Sequence, residues 1–473
     1  MQAPRTDRPH AALGENLVRG HGFEDLRVEG ELPKGLRGTL YRTGPGLYER
    51  FGKRLEHPFE ADAVLSAVRF DGEGGARGAA RVLETPGYLE EEAAGRMLYS
   101  SGAPWLRRVI HGLQQKQKNT GNTAIWAWRD QVYALLETAP PIAFDAETLA
   151  FEREDDLDGA VVRSFSAHPT RVAKLRTWFN FGLRFGKETV LDLYAFPERP
   201  EDGAARRIGC VDLPWPGFVH DFVATENYLV FFVCPGRLAM GRALLQMGSF
   251  ADWFQWRPQD GTQIIVVPLA SADDPSTHRR FDAESFWVWH FVNGFEDRGE
   301  LVIDYCRYPN LDSLDAIGSG RAIAPPILHR ARVNPQGKGS RVFVSEARWD
   351  VACEFPRILP ARSGLAHGPT WMQTSSDPDH YGLARVALGS DADPSGDAVS
   401  VQRWIPEAHQ RPSEPIPVAR AGEGSWVVSL CHDELARASF VAVLDGDAME
   451  AGPVAKVWFD HPVPQTFHGA WVG

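Results

Sequence analysis

With 473 residues, 62 acidic against 50 basic side chains and a formal net charge of −12, the chain is poorly suited to nucleic acid or to a broadly anionic lipid surface. Its 43% hydrophobic and 24% charged residues are the balance of a soluble globular protein with a substantial core. MQAPRTDRPHAALGEN holds no apolar segment of the signal-peptide kind, and no uninterrupted apolar run reaches about 18 residues, so a cytoplasmic protein without a membrane span is expected.

Short β-like runs then follow one another almost end to end. They are TLYRTG (39–44), AVLSAVRFD (63–71), TAIWAWRDQVYALLE (123–137), TWFNFGL (177–183), TVLDLYAF (189–196) and GTQIIVVPL (261–269). SFWVWHF (285–291), ELVIDYC (300–306), RVFVSEARW (341–349), GLARVAL (382–388), SWVVSL (425–430) and SFVAVLDGD (439–447) continue the series. Val, Phe, Trp and Tyr fill these runs, and Gly, Pro, Asp and Asn bound them. Two amphipathic helices are expected, one within 104–117 and one over 237–256.

So many short antiparallel strands favour a β-propeller, which removes most sheet edges by radial repetition. No WD-type repeat recurs at a fixed period. No low-complexity linker interrupts the strands, so a single domain spanning 1–473 is expected, with 1–23 as a loosely attached N-terminal arm and the non-strand inserts as a cap over one face. Cys210, Cys234, Cys306, Cys353 and Cys431 are odd in number and unpaired by any CxxC spacing, which reads as reduced core thiols.

Four histidines lie inside aromatic, strand-like phrases: His168 in FSAHPTRV, His220 in GFVHDFVATENY, His290 in VWHFVNGFED and His468 in QTFHGAW. Their spacing rules out a short local metal motif, yet a closed fold of many strands can bring all four to one point. Four neutral nitrogen ligands leave a divalent metal fully charged and suit iron chemistry better than structural zinc. Glu137, Glu354 and Glu414 also sit in apolar phrases, YALLETAPP, ACEFPRILP and RPSEPIPV. A buried carboxylate is costly unless paired, and the free ring N–H of a metal-bound histidine is a fitting partner. Singly, each histidine is a satisfied core residue and each glutamate a rim residue; the set of seven tips the balance.

With these phrases in hand, the chain resembles the carotenoid cleavage oxygenase family from about residue 24 to the end. LPKGLRGTLYRTGPGLYE, HPFEADAVLSAVRFDG, NTAIWAW, YALLETAPPIAFDAETL, SAHP, HDFVATENY, HFVNGFED, CEFPRI, PSEPI and TFHG fall in family order. The resemblance implies a seven-bladed propeller with Fe(II) on its axis, held by His168, His220, His290 and His468. It implies that Glu137, Glu354 and Glu414 bond His220, His290 and His468 respectively, leaving His168 without a carboxylate. O2 would be the co-substrate, and a conjugated double bond would be cleaved to two carbonyl products. Phe59, Phe218, Trp289, Phe355 and Leu136 would line the substrate tunnel, and Thr123 would crowd an open position beside the iron.

The family's Gly-x-Gly-Met turn is replaced here by Glu60-Ala61-Asp62-Ala63-Val64, a change that restricts the backbone; His57 in this segment reads as structural. Stilbene-cleaving relatives carry a lysine where this chain has Leu136, so a hydrocarbon polyene, a carotenoid or apocarotenoid, is favoured over a hydroxystilbene. The retinyl-ester isomerase branch and a non-catalytic binding propeller are further alternatives. The stretches 100–120 and 237–256 would make peripheral membrane contact, through which an insoluble substrate could enter. No protein partner is implied.

Overall fold

In the computed structural model, which describes residues 10–114, 116–185, 188–319, 321–337, 342–366, 368–377, 380–389 and 399–473, the expected hairpins assemble into seven antiparallel sheets around one axis. The architecture is a seven-bladed β-propeller. Blades flanked on both sides by other blades bury both faces of their middle strands, which therefore read as continuous apolar runs: Val190–Pro197 is buried at every position. Outer strands alternate instead, as Arg206–Asp212 does. Tight turns make the hairpins; between Trp287–Asp297 and Glu300–Tyr308, Arg298 and Gly299 both take positive φ, 50° and 84°, as a two-residue hairpin turn requires.

The innermost strands, one per blade, are Gly469–Val472, Ala124–Trp128, Thr170–Val172, Val223–Ala224, Trp287–Asp297, Ala352–Arg357 and Ile416–Ala419. Two sheets close the ring with segments from opposite ends of the chain. Gly469–Val472 pairs with Arg37–Leu47 as the inner strand of the first blade, and Arg27–Gly30 pairs with Pro453–Trp458 as the outer strand of the last.

Two expectations are corrected. Residues 10–23, expected within a loose arm, dock onto the ring, while 1–9 lie outside the described residues. The His10 N–H donates to Glu434 at 3.2 Å, the Gln465 N–H to the Leu13 carbonyl at 2.9 Å, and His21–Asp25 adds an outer strand to the first blade. The expected helix over 237–256 is only Met240–Leu244, set between the paired strands Gly236–Leu238 and Phe254–Trp256. Positive φ at Gln246 and Gly248 stops it, and the aromatic residues beyond are drawn into the core. Trp105–Leu113 is helical inside the expected 104–117, and its Trp105 indole N–H donates to the Leu245 carbonyl at 2.9 Å, tying the two short helices together. No described helix is long and apolar enough to cross a membrane.

Burial keeps two histidines away from the metal-centre group neutral. His57 and His432, 3% and 2% exposed, are each pushed down from 6.5 to about 4, by desolvation first. The unfolded chain protonates both below 6.5 while the folded chain resists to about 4, so stability is lost as pH falls through that window. The denaturant midpoint should therefore fall between those two pH values, and His432→Asn should flatten the fall by at most about 1.4 kcal/mol per pH unit. An unchanged slope in that variant would remove His432 from the account.

Candidate metal centre

Four of the seven blades each present one histidine where the innermost strand meets the axis. His168 and His220 lie just before Thr170–Val172 and Val223–Ala224, His290 lies within Trp287–Asp297, and His468 immediately precedes Gly469–Val472. Their Nε2 atoms converge: His168 to His220 is 2.9 Å, His220 to His290 3.2 Å and His290 to His468 3.1 Å. All four ligand atoms lie within 4.8 Å of one another.

The other three blades each supply a carboxylate. Glu137 follows Gln131–Leu135, Glu354 is in Ala352–Arg357, and Glu414 precedes Ile416–Ala419. Glu137 contacts His220 Nδ1, Glu354 Oε2 accepts from His290 Nδ1 at 2.5 Å, and Glu414 Oε1 accepts from His468 Nδ1 at 2.8 Å. Among the described residues no ion pair involves His168.

A proton on Nδ1 of His220, His290 and His468, where the glutamates accept it, leaves their Nε2 atoms with bare lone pairs. Lone pairs facing one another at such distances repel, so the arrangement fits a cation at its centre. Two nitrogens about 2.1 Å from a metal and at right angles lie about 3.0 Å apart, whereas tetrahedral ligands lie about 3.4 Å apart. The three spacings match the right-angled case. The group can hold a divalent metal with an all-nitrogen donor set. Burial pushes His168 well below its ordinary value, with the neighbouring histidines adding to the effect. His468 is lowered to about 3, desolvation outweighing Glu414. For His290 desolvation also lowers, but Glu354 with Asp221 and Glu414 together outweigh it and the net shift is upward.

Glu414 is the most heavily bonded of the three. Besides His468 it accepts from Arg42 Nη1 at 2.9 Å, Arg357 Nε at 2.6 Å and the Gly469 N–H at 2.9 Å. Burial would raise its carboxyl, yet Arg357, His468 and Arg42 together hold it well below the usual carboxylate range. Arg42, 1% exposed, also donates to Thr466 Oγ1 and the Phe467 carbonyl. Neither arginine was singled out in the sequence, although both stand inside quoted phrases, LYRTG and CEFPRI. Asp221, next to His220 in HDF, was also passed over; burial pushes it up to about 6 against the Phe291 N–H that it accepts.

The residues expected to line a tunnel divide into groups. Phe355, with φ 52°, sets its ring 5.3 Å from that of His290 and 5.2 Å from that of His468. It lines an axial cavity of about 650 Å³ together with His168, His290, His468 and Asp221. Phe59, Phe218 and Trp289 are absent from that lining and join a separate aromatic cluster. In it Trp289 lies 4.9 Å from the His220 ring and 5.8 Å from Phe218, and Phe250 bridges Phe218 and Phe59 at 6.1 and 5.9 Å. Leu136 is half-buried on the turn beside Glu137. Thr123 is buried, its carbonyl accepting the His468 N–H at 3.1 Å and its hydroxyl donating to Asn122. His57 caps the turn that carries Phe59, accepting the Phe59 N–H on Nδ1 and donating from Nε2 to the Leu314 carbonyl.

The family model described as retinal pigment epithelial membrane protein matches residues 18–473. An apocarotenoid-15,15'-oxygenase of Synechocystis sp. is 28% identical over 470 residues, covering 94% of this chain and 92% of that one. An isoeugenol monooxygenase of Pseudomonas nitroreducens is 24% identical, covering 95% and 94%. The crystal structure of the cobalt-substituted Synechocystis ACO superposes with a TM-score of 0.85 at 26% identity over 97% of each chain.

The geometry makes metal affinity the measurement for this site. Calorimetric titration with Co2+ should give one ion per chain. His220→Ala should abolish tight binding while leaving a folded propeller by circular dichroism, and Glu354→Gln should weaken it by about 10- to 100-fold. Undiminished affinity in His220→Ala would remove that residue from the ligand set.

Proposed function

The chain belongs to the carotenoid cleavage oxygenase family and is an oxygenase, and from that premise we propose an iron(II)-dependent dioxygenase that cleaves one conjugated double bond of a carotenoid or apocarotenoid with O2. The observation that carries this reading is the ring of four imidazole nitrogens, three of them anchored by glutamates, beside a cluster of aromatic rings. Iron(II) held by His168, His220, His290 and His468 would supply the coupling between triplet O2 and a singlet alkene that neither partner achieves alone.

The protein's own part is positioning and exclusion of water. Glu137, Glu354 and Glu414 hold the Nδ1 protons and so keep the Nε2 lone pairs aimed inward. Phe59, Phe218, Trp289 and Phe355 offer flat π faces to a flat polyene and to positive charge developing along it. Thr123, buried beside the His468 backbone, narrows the approach to the metal. Leu136 in place of a lysine offers no cation for a phenolate, which favours a hydrocarbon chain. Cleavage of a phenolic alkene is the second reading, favoured by the isoeugenol monooxygenase similarity over nearly the whole chain.

An insoluble substrate also needs a route in. Trp105, Leu106, Ile110 and Leu113 on one helix and Met240, Leu244, Leu245 and Met247 beside it are exposed, with Arg107, Arg108 and Arg242 among them. Phe250 and Phe254 connect this segment to Phe218, which packs 5.8 Å from Trp289 and so continues to His220. This is the face through which lipid contact and substrate entry are proposed.

Product mass spectrometry of the Fe(II)-loaded protein under air, offered β-carotene, apocarotenals and resveratrol in detergent, tests the assignment. Aldehydes from a polyene are expected, with Leu136→Lys lowering polyene turnover severalfold. Aldehydes from resveratrol alone would replace this reading with the phenolic one. Separately, sedimentation with phosphatidylcholine vesicles should carry the protein down, and Leu106→Glu with Leu113→Glu should release it without changing Co2+ affinity; equal sedimentation would remove the lipid face.

A further inference from the structure

Among the described residues, Asp221 is the one carboxylate in the axial cavity that neither holds a histidine Nδ1 nor meets an arginine. It is buried, and the two backbone N–H groups it accepts come from different blades. Oδ1 accepts the N–H of Phe222 at 2.7 Å, and Oδ2 accepts the N–H of Phe291 at 2.8 Å. Phe222 follows on the segment of His220, and Phe291 is the residue directly after His290. The second N–H lies on the innermost strand of its sheet, which has a ladder partner on one side only, and the pairing of Trp287–Asp297 with Glu300–Tyr308 shifts register between Val288 and Phe291 and again between Phe291 and Asn293. The Phe291 N–H points away from that partner strand and donates to Asp221. A buried N–H so placed needs an acceptor, and the neighbouring blade provides it from the residue adjoining its own histidine.

Two of the glutamates treat the inner strands in the same way. Glu354 Oε2 accepts the Phe355 N–H at 2.6 Å, and Glu414 Oε2 accepts the Gly469 N–H at 2.9 Å, each while also holding a histidine ring. Asp221 performs the backbone half of that task alone, across the junction between the blades that carry His220 and His290. We propose that Asp221 is a positioning residue: its carboxylate bridges the backbones behind His220 and His290 and thereby fixes the angle between their two nitrogens at the metal. It also brings the carboxylates around the histidines to four, which Arg42, Arg357 and a dication held by the histidines would offset. The bridge acts through the ligands, as the supporting bonds of a preorganised site do.

The proposal rests on the four histidines holding a metal, so its test reads the metal directly. Asp221→Asn keeps size and shape but turns an NH2 toward one of the two N–H donors, breaking one arm of the bridge. The Co2+-loaded variant should show a visible d–d absorption spectrum altered in position and intensity, and an affinity lowered about tenfold, in line with lost support behind a ligand. Asp192→Asn is the control. Asp192 is also buried but paired with Arg184 and Arg207 in a blade's middle strand, so its loss should lower stability and leave the cobalt spectrum unchanged. If Asp221→Asn does not fold, Asp221→Ser, which removes the reach to Phe291 with a smaller side chain, is read the same way. A wild-type cobalt spectrum and affinity in either folded variant overturns the proposal. Failure of the unaltered chain to bind Co2+ instead overturns the metal reading on which it rests.

Discussion

Mutual repulsion among four inward-facing imidazole nitrogens is the constraint around which this propeller is arranged. Spacings of 2.9 to 3.2 Å between lone-pair acceptors are tolerable around a cation, and the protein forces that orientation from outside. Three rings are held by carboxylates on their far nitrogens, and burial keeps His168 and His468 from escaping the repulsion by protonation. The carboxylates would themselves be costly in so dry a place. Arg42 and Arg357 relieve that cost at Glu414, so the charge pattern extends beyond the histidines and their glutamates. Removing both arginines would leave the buried Glu414 carboxylate without a cation, whereas removing one leaves the other still paired with it.

The same constraint ties metal binding to closure of the ring. His468 stands one residue ahead of the strand that completes the first blade, and Arg42, on the strand paired with it, faces Gly469 across the ladder. Through Glu414 that arginine reaches the last blade, and Arg357 reaches back from the sixth to the Gly469 carbonyl. One cluster of bonds therefore joins three blades and both ends of the chain. The centre assembles only when the C-terminal strand has docked, and the docked strand is held by the residues that orient its histidine.

Much of this was legible in the sequence because the chemistry is concentrated in residues that do not belong where they stand. A histidine between Trp289 and Phe291, or a glutamate in an apolar phrase, violates strand patterning, and those violations mark His290 and Glu137. The propeller was legible from the long series of short strands bounded by turn residues, and its seven blades from the family resemblance. Less legible were residues whose type suits a strand edge or a turn. Arg42 in LYRTG and Arg357 in CEFPRI read as ordinary polar positions, because only the closed ring turns them inward. Asp221 was masked by His220 beside it, and the N–H that defines its task belongs to another blade. The helix over 237–256 was over-read because its apolar residues serve two purposes. Some are exposed on a short helix, while Phe250 and Phe254 join the aromatic core.

The departure at Glu60–Val64 shows how a local rule can be broken and compensated. Ala61 and Ala63 are fully buried where flexible glycines would ease the turn, so the segment needs another anchor. Asp62 provides it, bonding Arg50 at 2.7 Å and Lys118 at 2.5 Å, and Glu91 closes the network by accepting from the same two cations. Asn122 adds two bonds to the Phe59 and Ala61 carbonyls, at 3.1 and 2.7 Å, from the position next to Thr123. Phe59 is thus fixed from both sides, its ring 5.4 Å from that of Phe467, the residue before the last metal-centre histidine. Rigidity that other sequences could draw from a tight glycine turn comes here from a buried ion network and an amide. The shape of the aromatic cluster beside the metal centre therefore depends on charges that lie well outside it.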